Sequence, residues 1–150
     1  MVNETRVSSV LGAVRKVGKA VGSFTYYNLE ELEPVVRTAE APRAPTIVLV
    51  SPSSFGGAGG ERLVRGFKAA VARASADVLI QLDHVSDLFS VERAVRCGLD
   101  AVMAEGSKLS FPDNVAFICA AASIPVPRQV LPVSWHSRRR YPRGPKPPPW

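Results

Sequence analysis

Asp83 and His84 stand side by side directly after the apolar run Val78-Leu-Ile-Gln-Leu82. An acid next to an imidazole at such a place can supply a proton donor and a metal ligand together. The plainer alternative is a solvated Asp capping the next helix, with His as a bystander. Polar residues follow the other apolar runs in the same way: Thr25 and Asn28, then Ser51, Ser53 and Ser54, then Glu105, Ser107 and Lys108. Taken singly, each is an ordinary loop residue. Cys97 and Cys119, 22 positions apart, fit no zinc or redox spacing and read as two reduced, buried thiols. Nothing in them calls for an oxidising compartment, so the cytoplasm is the expected location. The stretch Gly56-Gly-Ala-Gly-Gly60 could aim backbone N–H groups at a phosphate. It lacks the Lys-Ser/Thr of a P-loop and does not match G-x-G-x-x-G, so a flexible loop is expected.

The elements that must position these residues alternate. Short β-rich runs occur at Val21–Thr25, Thr46–Ser51, Val78–Leu82 and Asp100–Ala104, each followed by helical periodicity. Asn28 is placed to cap the first helix, with Glu31 at the capping-box position and Pro34 as a kink. Leu63, Val64, Phe67, Ala70, Val71 and Ala74 share one face of the second. Ser90 is expected to cap a third that Gly98 ends, and Asp113 or Asn114 to start a fourth running to about Ala122. Four strand–helix units predict right-handed βαβ connections and a parallel sheet in order 1-2-3-4. Thr46-Ile-Val-Leu-Val50 is continuously apolar, as a strand buried on both faces would be. Periodicity alone allows a flavodoxin-like sheet or part of a TIM barrel. In either fold, chemistry gathers at the carboxyl ends of the strands.

Charge divides the chain. Its net +6 belongs wholly to residues 126–150, which hold six Lys/Arg, no acid and seven of the 13 prolines. Residues 1–125 carry 13 basic and 13 acidic side chains and are neutral. A basic, proline-rich tail with no βα periodicity is poor core material and is expected to be disordered. Its arginines lack a folded scaffold, so nucleic acid is not expected as a partner. An altered reading frame or an unspliced segment is expected to account for such a tail better than a function does. No run of about 18 apolar residues exists, so no membrane span is expected. Met1–Arg6 lead into no apolar signal core, so neither is a secretory signal.

Four motifs, in order, resemble those of the class II (zinc-dependent) ketose-bisphosphate aldolases, which act on fructose or tagatose bisphosphate. Phe24-Thr-Tyr-Tyr-Asn-Leu-Glu30 resembles F-N-x-Y-N-L-E, and Leu49-Val-Ser-Pro52 resembles Q-V-S-P. Leu82-Asp-His84 resembles L-D-H-G. Gly98-Leu-Asp-Ala-Val-Met-Ala-Glu-Gly-Ser107 with Leu109 and Phe111 resembles G-F-x-S-V-M-x-D-G-S-H-L-x-F. The resemblance covers about residues 8–122. Thr25 replaces the family's Asn, Val85 its Gly, Glu105 its Asp and Lys108 its His.

The resemblance implies an α/β fold: a truncated TIM (β/α)8 barrel of about four βα units over residues 1–122, followed by a disordered basic tail over 123–150. It implies a lyase that cleaves a ketose bisphosphate to dihydroxyacetone phosphate and an aldehyde, with Zn2+ polarising the carbonyl. His84 would be a zinc ligand, with Glu105 as a second candidate. Asp83 would be the general acid/base at the C4 hydroxyl. Ser51, Asn28 and Ser107 would contact substrate. The family's remaining zinc ligands, a Glu and two His, belong to the later half of the barrel. The ligand set is therefore incomplete, and no turnover is expected from this chain alone. The alternative is a non-catalytic half-barrel that serves as a binding module. Open strand edges and bare inward faces, with Val48, Val50, Ile80 and Val102 as the side chains at risk, predict self-association.

Overall fold

A computed structural model describes residues 5–125. Its elements run α1 (Arg6–Lys16), β1 (Gly22–Tyr26), α2 (Leu29–Glu40), β2 (Thr46–Val50), α3 (Pro52–Gly56), α4 (Gly60–Val71), β3 (Val78–Val85), α5 (Leu88–Arg96), β4 (Ala101–Ala104) and α6 (Phe111–Ser123). The strands form one parallel sheet in the order β1-β2-β3-β4, as the alternating pattern predicts. No helix among the described residues is long and apolar enough to cross a membrane.

Alternation along the strands sorts side chains between two faces. Val48, Val50, Val78, Ile80, Leu82 and Val102 are buried against Leu32 and Val36 of α2, Val64 and Phe67 of α4 and Val91 of α5. Val48, Val50, Ile80 and Val102 are thus not at risk of exposure: they are at most 3% exposed, under the helices. Helices cover this side of the sheet over β2, β3 and β4, while Phe24 of β1 stays 52% exposed. On the other side Ile47 and Leu49 of β2 are half-buried, so the continuous apolar run does not mark burial on both faces.

What covers part of that second face is α1, which the sequence reading did not anticipate. Thr5 caps it, accepting from Ser8 N, while the Ser8 hydroxyl serves the Thr5 backbone in return. Val7 and Val10 pack on Ile47, Leu79 and Ala101. Arg6 reaches Asp77 at 3.3 Å and Asp100 at 3.5 Å, tying α1 to the amino ends of β3 and β4. The carboxyl-end half of the face, with Leu49, Gln81 and Met103, stays partly open.

Helix starts follow local chemistry, but two caps differ from expectation. Asn28 caps α2 by accepting from Glu31 N at 2.8 Å, and Glu31 reaches back to Tyr27 N. The helix continues through Pro34 to Glu40. Asp87, not Ser90, caps α5: Ser90 lies at the third helical position, and its N–H is the group being satisfied. Likewise Ser110 caps α6, accepting from Asp113 N and placing Pro112 in the first turn. Gly98 ends α5 at φ 69°, as predicted. Gly60 is no flexible hinge: a Cβ there would overlap the Phe55 backbone, so only glycine lets α4 start against α3. Cys97 is half-buried and Cys119 is exposed on α6, which corrects the expectation of two buried thiols. The domain limit expected at 122 falls in the last turn of α6. The expected tail lies, from residue 126 on, outside the described residues.

Candidate active site at the carboxyl ends of the strands

Leu82 pairs with Val102 and Val85 with Ala104, so three steps along β3 match two along β4. This is a β-bulge, and His84 adopts φ 43° within it. Without the extra residue, strict alternation would send His84 to the helix side with Leu82. The bulge gives that place to Val85, which is 1% exposed. Asp83 and His84, though adjacent, are thereby both released to the rim. Glu105 N closes the junction by donating to Val85 O at 2.7 Å.

The rim then assembles around Glu105. His84 Nδ1 lies 2.8 Å from Glu105 Oε2, and the Ser107 hydroxyl donates to Glu105 Oε1 at 2.5 Å. These two hydrogen bonds, Ser107 first and His84 second, hold the Glu105 carboxyl below its ordinary pKa. Attraction to His84 and Lys108 adds to them, and partial burial opposes them. An ionised carboxylate only accepts, so the proton on this contact belongs to Nδ1. In the neutral ring the lone pair is therefore on Nε2, which faces Asp83 Oδ1 at 3.8 Å. Asp83 Oδ1 itself is enclosed and has no hydrogen-bond partner.

The other expected site residues reach the same rim with their polar atoms partly committed. Ser51 follows β2, caps α3 by accepting from Ser54 N at 3.2 Å, and donates to Ser54 Oγ at 2.9 Å. Asn28 follows β1, and its Oδ1 is the α2 cap. The structure thus links Asp83, His84, Glu105 and Ser107 into one cluster and sets Ser51 and Asn28 beside other strand ends. Among the described residues, no group of three or more His, Cys, Asp or Glu is arranged to hold a metal ion. His84 and Glu105 offer one nitrogen and one carboxylate, already bonded to each other. They do not make up the three protein ligands of a catalytic zinc.

Two residues near the rim were not expected there from sequence: Arg93 was not named, and Asn114 was named only as a possible helix start. Arg93 of α5 stacks 4.7 Å from the Phe55 ring centre and pairs with Glu61 at 3.3 Å, clamping α3, α4 and α5 together. Asn114 Oδ1 is enclosed without a partner against Gly106, where any Cβ would strike it. An arginine three residues past a predicted cap carries no signal of its own. Nor does an asparagine one turn into a helix.

Residues 5–128 match the family model described as fructose-bisphosphate aldolase class-II. Over 115 residues the chain is 34% identical to the D-tagatose-1,6-bisphosphate aldolase subunit GatY of Klebsiella oxytoca, covering 73% of this chain and 39% of that protein. A crystal structure from Coccidioides immitis, assigned as a fructose-1,6-biphosphate aldolase, superposes with a TM-score of 0.75 at 27% identity. The YdjI aldolase of Escherichia coli K12 shares the fold, with a TM-score of 0.73 at 20% identity. Each superposition covers 81% of this chain and 48% of the other. The chain therefore spans about half the length of the relatives it matches, or less.

Proposed function

The chain belongs to the class-II fructose-bisphosphate aldolase family, and from that premise we propose that its rim is part of a site for aldol cleavage of a ketose bisphosphate. The observation that carries this reading is the bulge in β3, which brings Asp83 and His84 to one rim beside Glu105 and Ser107. In this reading Asp83 takes the C4 hydroxyl proton as the C3–C4 bond breaks, leaving an aldehyde and the enediolate of dihydroxyacetone phosphate. The family's zinc supplies the Lewis acid for such chemistry. Glu105 positions His84 by holding Nδ1–H, which presents Nε2 as one metal ligand. Ser107, Ser51 and Asn28 contact the sugar. The residues at hand do not complete a zinc site, so residues 5–125 bind sugar and hold the proton-transfer group without cleaving substrate by themselves.

Amide NMR during titration with fructose 1,6- or tagatose 1,6-bisphosphate at millimolar concentration tests the reading. Shifts should gather at Ser51, Asp83, His84 and Ser107 and vanish in Asp83→Ala. Shifts scattered elsewhere, or none, would sink it. Metal analysis of the purified chain should find well below one zinc per chain. One tightly held zinc, lost on His84→Ala, would overturn the claim that the ligand set is incomplete.

A second reading is favoured by a separate observation. α6 carries one charged residue in 13 and buries only Ala121, leaving Phe111 75% and Val115 45% exposed. A helix apolar on all sides is normally buried. In this reading the half-barrel associates with itself.

A further inference from the structure

Gly106 is held to glycine by a side chain, not by its own backbone. Its φ lies outside the left-handed region, which among the described glycines is taken only by Gly18 and Gly98. A Cβ built on Gly106 would nevertheless overlap Asn114 Oδ1 and crowd Asn114 Cγ and Cα. The Asn114 amide thus occupies the space beside one Cα–H bond of Gly106. Such a C–H is a weak donor, and the enclosed Oδ1 has no hydrogen-bond partner. Enclosing an amide oxygen without a full partner is unfavourable, so packing alone does not call for an asparagine here. What the amide does touch is the turn that carries the rim.

That turn is pinned at both ends. Glu105 N donates to Val85 O at 2.7 Å, which ties its start to β3, and Leu109 N donates to Gly106 O at 2.9 Å, which closes it. Asn114 N donates to Ser110 O at 2.8 Å, so Asn114 belongs to the opening of α6 and is carried by that helix. Ser107 sits between these points. Its hydroxyl reaches back to Glu105 Oε1, while Glu105 Oε2 meets Nδ1 of His84. A side-chain bond between residues so close in the chain forms over a narrow range of backbone angles, so it depends on where Gly106 is held.

We propose that Asn114 is a positioning residue of the rim: it holds Gly106 so that Ser107 fixes Glu105 and Glu105 keeps the ring proton of His84 on Nδ1. This deepens the aldolase reading above, on which it rests for the role of His84. The outcome of the chain of contacts is a lone pair on Nε2. Asn114 itself touches neither sugar nor metal. Without its amide the turn relaxes and Glu105 swings into water. The neutral ring then returns to Nε2–H, the tautomer a free imidazole side chain favours.

Long-range nitrogen–proton correlation spectra of the full chain, with EDTA present and at about pH 9, where histidine rings are neutral, test the proposal. His136→Gln assigns the signals of the two histidines. In the unsubstituted chain Nδ1 of His84 should carry the proton. In Asn114→Ala the Nδ1 signal should move downfield, towards that of an unprotonated nitrogen and as far as in Glu105→Ala. Gly106→Ala should give the same shift, since its methyl strikes the amide. Combining it with Asn114→Ala should reverse part of the shift, because the methyl then has room. Phe117→Ala, at another half-buried position of α6, should lower the melting temperature without moving the proton. An unmoved proton in Asn114→Ala would overturn the proposal. So would an equal shift in Phe117→Ala, or a double variant shifted as far as Gly106→Ala. If Gly106→Ala does not fold, Asn114→Ala against Phe117→Ala still decides. No readout involves a sugar phosphate, so failure here and failure of the titration that tests the aldolase reading are told apart.

Discussion

His84 holds a backbone conformation, φ 43°, that costs an L-residue about 1–2 kcal/mol and costs glycine little. The bulge requires it, because only that turn lets Val85 regain the core while Asp83 and His84 keep the rim. His84→Gly should therefore change stability by less than about 1 kcal/mol, since relief of strain offsets the lost bond to Glu105. His84→Val should cost roughly 2 kcal/mol or more, because β-branching is worst at positive φ. Urea denaturation of both variants checks the order. Glu105 gives a pH prediction. Its folded pKa lies below the ordinary value of 4.5, so its stabilising contribution is complete above that value. The contribution is lost as pH falls through the lowered folded pKa. Ser107→Ala removes the largest cause and should move the Glu105 midpoint up towards the ordinary value. A carbon-detected NMR titration would show this, and an unmoved midpoint would mean the hydroxyl is not what lowers it.

At the scale of elements, the glycines and caps fix where each helix begins and hence where the rim loops lie. Gly60→Ala would drive a methyl into the Phe55 carbonyl and push α4 off α3, disturbing the Arg93 clamp. A loss of about 2–4 kcal/mol is expected, in the range of overpacked or strained sites. Asn28→Ala, which removes one cap bond at the start of α2, should cost only about 1 kcal/mol. Thermal unfolding of the pair separates a packing glycine from a cap, and equal losses would refute the distinction. The same elements show where sequence reading was blind. Capping residues for α5 and α6 were misplaced by three or four positions because several Ser, Asp and Asn near each start can all accept an N–H. Which one does so depends on where the preceding loop leaves the sheet. α1 went unseen because its two buried valines face a sheet that is far away in sequence.

At the scale of the whole molecule, helices close one side of the sheet over β2, β3 and β4, and α1 covers the other side only at its amino end. The open half leaves the rim exposed on the side where the proposed reading puts the sugar phosphate.

The sequence by itself determined the four βα units, the strand order 1-2-3-4, the family, and the placement of the candidate residues after strand ends. These follow from local periodicity and motif order, which are properties of neighbours along the chain. Only the tertiary structure decided which strand face each apolar residue takes. Val48 and Ile80 went under helices because pairing register and bulges, not composition, assign the faces. Only the structure joined Glu105 to both His84 and Ser107, since the three meet across a bulged strand pair 21 residues apart in the chain. The contact of Asn114 with Gly106 was likewise invisible in one dimension. It is a property of what the fold brings together, and a sequence records only what each residue is.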